Sequence, residues 1–277
     1  MCILCKSLMG EARLCYYEKN TYKREGSTVM SGQIIYPEQS DIINRMKEEV
    51  NAALGEGAWE DIRQAGPVPE ADMCEDALSG ATRAMFKQFD SRADLKARKT
   101  AFCNVRHALT PQHLHGVRES FLQYGNIDAF CEALRQENRA GFQKALEKGE
   151  RFHGQPVDQS VIDFFEDHPY LLYGARKGHQ IHATAIPCQT SAYLRDTDPM
   201  KKRYLACHCA FARKSLLAAE GPVSKTLCYC SLGHTMIFWE TALSAKLTGE
   251  VVESVLDGGL LCRFVINLPD DIMEKYT

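Results

Sequence analysis

What this 277-residue chain lacks narrows its class first. No apolar run approaches the ~18 residues that a membrane span requires. The opening stretch "MCILCKSLMGEARLCYYEKN" has no basic region leading into a long apolar core, so a secretory signal is not expected. Positive charge is not in excess: Lys and Arg total 33 against 36 Asp and Glu, for a net charge of −3. A nucleic-acid surface normally shows a basic excess on one face or arm, so no nucleic-acid partner is expected. The short clusters "RADLKARK" (92–99) and "MKKR" (200–203) read as solvated faces. There is no G-X-S-X-G, P-loop, G-X-G-X-X-G or H-E-X-X-H, the usual carriers of serine-hydrolase, NTPase, dinucleotide and zincin chemistry. Low-complexity tracts are also missing. These absences lead to the expectation of a cytoplasmic protein that engages neither membrane nor nucleic acid.

Cysteine, by contrast, is abundant, with twelve in the chain. In a reducing compartment they are expected as free thiols serving as core residues, metal ligands or nucleophiles. The pattern Cys-X-Cys occurs twice, as Cys207 with Cys209 in "YLACHC" and as Cys228 with Cys230 in "TLCYC". On a strand, such residues share a face and lie ~6.6 Å apart. On neighbouring strands ~4.8 Å apart, four such Cβ atoms outline a rectangle with a half-diagonal of about 4.1 Å. A zinc ion held by a thiolate sits only roughly 3.3 Å from Cβ. A flat sheet therefore cannot seat all four thiolates on one zinc. At least one pair is expected on a bend or loop, or fewer than four cysteines bind.

Ser231, Gly233 and His234 suggest such a bend, with the chain leaving a strand and entering a helix that Ser231 caps. A helix N-terminus favours thiolate over thiol, which helps metal binding and nucleophilicity alike. The expected metal ligands are Cys207, Cys209, Cys228, Cys230 and Cys262, with zinc the expected metal and an iron–sulfur cluster the alternative. Plain core packing is the ordinary role of cysteine, and thiol chemistry is a third use. His234 and Glu240 are the candidate catalytic residues. Glu240 lies within "MIFWETAL", where burial would raise a carboxyl pKa and suit it to acid–base work. Arg213 is the candidate anchor for an anionic ligand. Cys2-X-X-Cys5 has metal-like spacing without a second half, and His107, His113 and His115 read as surface histidines.

The first half reads as helices with short connections, hence antiparallel packing. "PEQSDIINRMKEEVNAALG" carries Ile42, Met46 and Val50 on one stripe, with Ser40 as its N-cap and Gly55 as its stop. "GEGAWEDIRQAGPVPEAD" reads as a linker. Met73, Ala77, Ala81, Met85 and Phe89 repeat every four residues, and Ser91 is the cap of a helix burying Leu95, Phe102 and Leu109. Further helices start at Thr110-Pro111, run from Asn126 to Gly149, and cover "DQSVIDFFEDH". Beyond Pro169, "HQIHATAI" alternates as a strand, and "KRYLACHC" reads as a strand or strand end. "HTMIFWETALSAKL" is an apolar helix, and "GEVVESVL" with "LLCRFVINL" forms a hairpin across Asp257-Gly258-Gly259. The expected fold class is α+β. It comprises an N-terminal segment and linker over 1–69, a helical region over 70–169, and an α+β cysteine-rich region over 170–277 with a small antiparallel sheet packed on helices. The helical half is a candidate homodimer interface.

The stretch "CYCSLGHTMIFWETALSAKLTGEVVESVLDGGLLCRFVINLP" (228–269) resembles the end of 4-vinyl-reductase-like domains. In those domains a helix is followed by a strand, a glycine-containing turn and a final strand bearing C-X-F, here Cys262-Arg263-Phe264. With the upstream "KRYLACHCAFAR", the chain is similar to a bacterial group labelled as resembling L-2-amino-thiazoline-4-carboxylate hydrolase. Cys103, in "RKTAFCNVRHAL", falls where that group tends to carry a cysteine on a helix. The resemblance covers roughly 200–269 and, more loosely, 90–150. It implies an α+β module that takes a small, often apolar ligand or substrate. The phenol-sensing members hold zinc through cysteines near this hairpin. Only Cys262 matches that set, because the other cysteine falls near Ser254 or Leu256. The C-X-C thiols are the expected replacement. The hydrolase label would imply C–N bond cleavage, with a metal-bound water or a thiolate as nucleophile. A non-catalytic sensing module with a structural metal is the alternative.

Overall fold

The computed structural model describes residues 33–277; Cys2 and Cys5 lie outside them. β1 (Gln33–Ile34) leads into α1 (Gln39–Leu54), whose Ile42, Met46 and Val50 are buried as one stripe. The cap is Glu38 in a reciprocal box with Asp41, not Ser40, and Gly55 ends the helix. The run expected as a linker contains α2 (Ala58–Ala65), which buries Trp59 and Ile62. Two large apolar side chains three residues apart outweigh the flanking glycines, which mark the helix ends. α3 (Glu75–Arg92) buries Leu78, Met85, Phe86 and Phe89, and Ala77 is exposed. α4 (Leu95–Val105) starts at Asp94, whose carboxylate accepts the Ala97 N–H, rather than at Ser91; Phe102 is buried and Leu95 exposed.

After α4 the chain makes a tight left-handed turn, a short 3₁₀ segment at Pro111–His113, and β2 (Leu114–His115), antiparallel to β1. α5 (Val117–Tyr124) and α6 (Ile127–Lys148) follow, the latter capped by Asn126 and closed by Gly149 as expected. A tight hairpin of β3 (Arg151–Phe152) and β4 (Gln155–Pro156) leads to α7 (Gln159–Asp167), capped by Asp158. β5 (Ala175–Lys177) and β6 (Gln180–Thr184) precede α8 (Thr190–Arg195) and α9 (Pro199–Ala206). α9 replaces the strand expected at "KRYLACHC". Asp198 as N-cap and Pro199 in the first turn form a helix-start signal that overrides the short apolar run. α10 (Cys228–Leu243), β7 (Thr248–Glu253), β8 (Arg263–Asn267) and α11 (Asp270–Tyr276) complete the chain.

The class is α+β, with a helical N-terminal half and one four-stranded antiparallel sheet in the order β5-β6-β8-β7. Ile181 pairs with Ile266, and Ala183 with Phe264, and all four are buried. The β7–β8 connection is longer than an Asp-Gly-Gly turn: it holds a 3₁₀ turn at Val255–Asp257, capped by Ser254, with Gly258 in the left-handed region. α10 is the central element, touching α4, α5, β7 and the left-handed turn. Its mean character is strongly apolar, and Trp239 is fully buried with its indole N–H donating to the Tyr173 carbonyl at 3.0 Å. At the α4–α10 crossing, a Cβ on Gly233 would lie 2.0 Å from the Cys103 carbonyl oxygen, so only glycine allows these backbones to meet. One buried apolar cluster includes residues from Ile42 to Tyr276 and joins the helical half to the sheet half. Among the described residues, no helix is long and apolar enough to cross a membrane.

Candidate functional site

Neither C-X-C pair lies on a strand. Cys207 closes α9 and Cys209 sits in the loop beyond it, where its carbonyl accepts the Arg213 N–H at 2.8 Å. Cys228 and Cys230 open α10, after a 3₁₀ turn capped by Ser224, while Ser231 lies inside the helix rather than capping it. At 3.6 residues per turn, positions i and i+2 on a helix point to nearly opposite sides. The two thiols of the second pair therefore diverge. Cys228 faces Ser254 and Cys262, whereas Cys230 faces the left-handed turn after α4.

In the first grouping, the Cys228 sulfur lies 3.0 Å from the Ser254 hydroxyl oxygen, with Cys262 beside it. Ser254 also accepts the Leu256 N–H at 3.0 Å, which fixes its position. The Cys228 thiol foremost, and then the Val255 backbone N–H, hold the Cys262 pKa below the ordinary thiol value against the opposing effect of burial. Cys228 shifts the other way, well upward, first because its proton is committed to Cys262 and then because of burial. Cys262 is half-buried and Cys228 is buried. Cys207 lies near both, and burial pushes its thiol up to about 12.

The second grouping surrounds a small cavity of about 20 Å³, lined by Cys209, Cys230 and His107 together with Ile42, Met46 and Leu227. The Cys230 sulfur accepts the His107 backbone N–H at 3.3 Å. The His107 ring packs on His234 with centroids 4.7 Å apart, and Tyr36 stacks on His234 at 6.0 Å. Burial keeps both imidazoles neutral, lowering His234 to about 4 and His107 well below its ordinary value. Burial likewise raises Cys209 and pushes Cys103 and Cys230 up to about 12. His107 belongs to a run of three consecutive non-glycine residues in the left-handed region: Arg106 (φ 36°), His107 (φ 54°) and Ala108 (φ 57°). Each costs roughly 1–2 kcal/mol, so other contacts must hold the turn in place.

Glu240 supplies the main one. Its carboxylate takes the Arg106 guanidinium at 2.9 Å, with both side chains largely buried, and its other oxygen accepts the Leu247 N–H at 3.1 Å. Lys246 approaches at 3.7 Å. This carboxylate joins α10 to the left-handed turn and to the start of β7. Arg213 is buried against Tyr204, its guanidinium 4.3 Å from the ring centroid and its Nε donating to the Tyr204 carbonyl at 3.1 Å. His208 bonds through Nε2 to the Ile186 carbonyl. Of the histidines read as surface residues, His113 supports the Thr110 cap and His115 is exposed, but His107 is a cavity wall.

Sequence reading thus missed His107, along with Arg106 as its support. No helical spacing could have signalled it, because α4 ends at Val105 and His107 stands in the left-handed turn beyond it. Cys103, Cys131, Cys207, Cys209, Cys228, Cys230 and Cys262 are free thiols, while Cys188 is disulfide-bonded, a departure from the expectation of full reduction. Among the described residues, no group of three or more His, Cys, Asp or Glu is arranged to hold a metal ion. The divergence of Cys228 from Cys230 is the physical reason that the five cysteines expected as ligands do not form one cluster. No protein-family model, curated protein or solved structure matches the chain.

Proposed function

We propose that this is a thiol-dependent protein whose working pair is Cys262 and Cys228. Cys262 is the attacking thiolate, and Cys228 is the thiol that resolves it. The observation that carries the reading is the placement of Cys228, 3.0 Å from the Ser254 hydroxyl, beside Cys262, whose pKa the Cys228 thiol holds below the ordinary value. Their relative exposure supports the same order of roles, with the half-buried sulfur acting first and the buried one second. The matching chemistry is exchange with a small disulfide, RSSR′. The Cys262 thiolate attacks one sulfur, the substrate S–S bond breaks, and R′S⁻ leaves and takes up a proton. Cys228 then loses its proton to solvent and attacks the Cys262 sulfur, releasing RS⁻, which is protonated in turn. The protein ends with a Cys228–Cys262 disulfide, and the substrate is reduced by two electrons to two thiols.

The test is to treat the reduced full-length protein with a limiting small disulfide, quench it in acid and map the cysteine peptides. The Cys228–Cys262 disulfide should form in the native protein, and Cys228→Ser should trap a mixed disulfide on Cys262. Elemental analysis of the same preparation accompanies the mapping. Preferential reaction at another cysteine would overturn the assignment. So would stoichiometric zinc that is lost in Cys228→Ser, which would assign these thiols to a metal instead.

A further inference from the structure

The cavity between the two second cysteines plays no part in that exchange chemistry. At about 20 Å³ it exceeds the ~10–15 Å³ that a single water needs, and it is far below the few hundred Å³ of an organic-ligand pocket. It is therefore a site for one atom or ion. Its wall includes two cysteines from separate segments (Cys209 in the loop after α9, Cys230 in the first turn of α10), together with His107 and the buried Met46. The wall includes no carboxylate, so hard cations that demand oxygen ligands find little here. Thiolate, thioether and imidazole are the donors that select a soft ion.

We propose that Cys209 and Cys230 bind a single cuprous ion in this cavity, with Met46 and His107 beside it. Cuprous ion is satisfied by two soft donors. The site therefore does not require the three-residue cluster that is missing among the described residues. Binding is balanced as Cu⁺ plus two thiols giving a dithiolate complex of charge −1 and two released protons. The N-terminal turn of the 16-residue α10 and the His107 N–H on the Cys230 sulfur both offset that negative charge. The left-handed turn has a function on this view: it delivers the His107 N–H to the Cys230 sulfur. Cys228 and Cys262 are not among the lining residues, so the two sites are separable.

The experiment is an anaerobic titration of the reduced full-length chain with Cu(I) against bicinchoninate as competing chelator. One equivalent should be withheld from the chelator. Cys209→Ser and Cys230→Ser should each weaken retention by at least ~10-fold, the loss that follows removal of even an outer-shell partner of a metal. Cys262→Ser should retain the ion, which keeps this result independent of the exchange reading. X-ray absorption of the wild-type Cu(I) complex counts sulfur neighbours directly, in case either serine variant fails to fold. No copper withheld from the chelator, a copper shell without two sulfurs, or retention lost in Cys262→Ser but kept in both Cys209→Ser and Cys230→Ser would each overturn the proposal.

Discussion

The Cys228 thiol and the Val255 N–H hold the Cys262 pKa down, whereas the Cys230 sulfur accepts one backbone N–H beside a mostly apolar cavity wall. This contrast gives a direct chemical prediction. Iodoacetamide reacts with thiolate, so at pH 8 Cys262 should be labelled well ahead of Cys103, Cys207 and Cys230, whose thiols are pushed up to about 12 by burial. Peptide mapping after short exposures reads the order. Replacing Cys228 with Ala removes the largest cause of the lowered Cys262 pKa, so the labelling profile of Cys262 should move to higher pH. An unchanged profile would mean that the Val255 N–H alone sets the thiolate. Glu240 makes a different residue-scale case. Glu240→Ala strands the largely buried Arg106 charge and the Leu247 N–H, and breaking such a pair costs about 3–5 kcal/mol. Urea unfolding of that variant should show a loss of this order.

Among the elements, the α4–α10 crossing is the tightest joint near the site. In Gly233→Ala the new Cβ would stand 2.0 Å from a carbonyl oxygen, and that neighbour is backbone and cannot swing away. The helices must separate, at the ~1–3 kcal/mol typical of overpacking, and a denaturant midpoint measures it. Because the same crossing sets the distance between Cys103 and α10, the variant should also alter retention in the cavity next to it. Elements were legible where a start and a stop bracket a stripe. Asn126 and Gly149 delimit α6, and Ile42, Met46 and Val50 mark α1. α2 was hidden because Gly55, Gly57 and Gly66 looked like linker composition, although they sit at helix boundaries while Trp59 and Ile62 are buried between them. α9 was hidden because "YLAC" resembles a strand once the Asp198-Pro199 start is passed over. The divided site follows from the same point. A C-X-C with a period of 2 converges, whereas one with a period of 3.6 diverges, and only the helix at Cys228 decides between them. Nothing at 106–108 announces the left-handed turn, since Arg, His and Ala rarely adopt it. Its cause lies at Glu240, over 130 residues away along the chain.

At the scale of the whole molecule, one core joins the helical half to the sheet, and the neutral histidines are set into it. His234 provides the measurable consequence. Burial lowers its pKa to about 4 from an ordinary 6.5, so the unfolded chain takes up this proton before the folded one does. Stability is therefore complete above pH 6.5 and declines as the pH falls from there to about 4, with a slope of about 1.4 kcal/mol per pH unit for one histidine. Between pH 6.5 and 5, His234 alone should cost about 2 kcal/mol, and His107 and His208, lowered by the same burial, add to the decline. Equilibrium urea unfolding at pH 7, 6 and 5 measures the sum, and His234→Gln isolates the single contribution by flattening the curve by about one histidine's slope. A wild-type curve that is flat across this range would mean that the imidazoles reach water in the native state. In that case the cavity that His107 borders would be wet rather than dry, and the preference for a soft ion there would lose its physical basis.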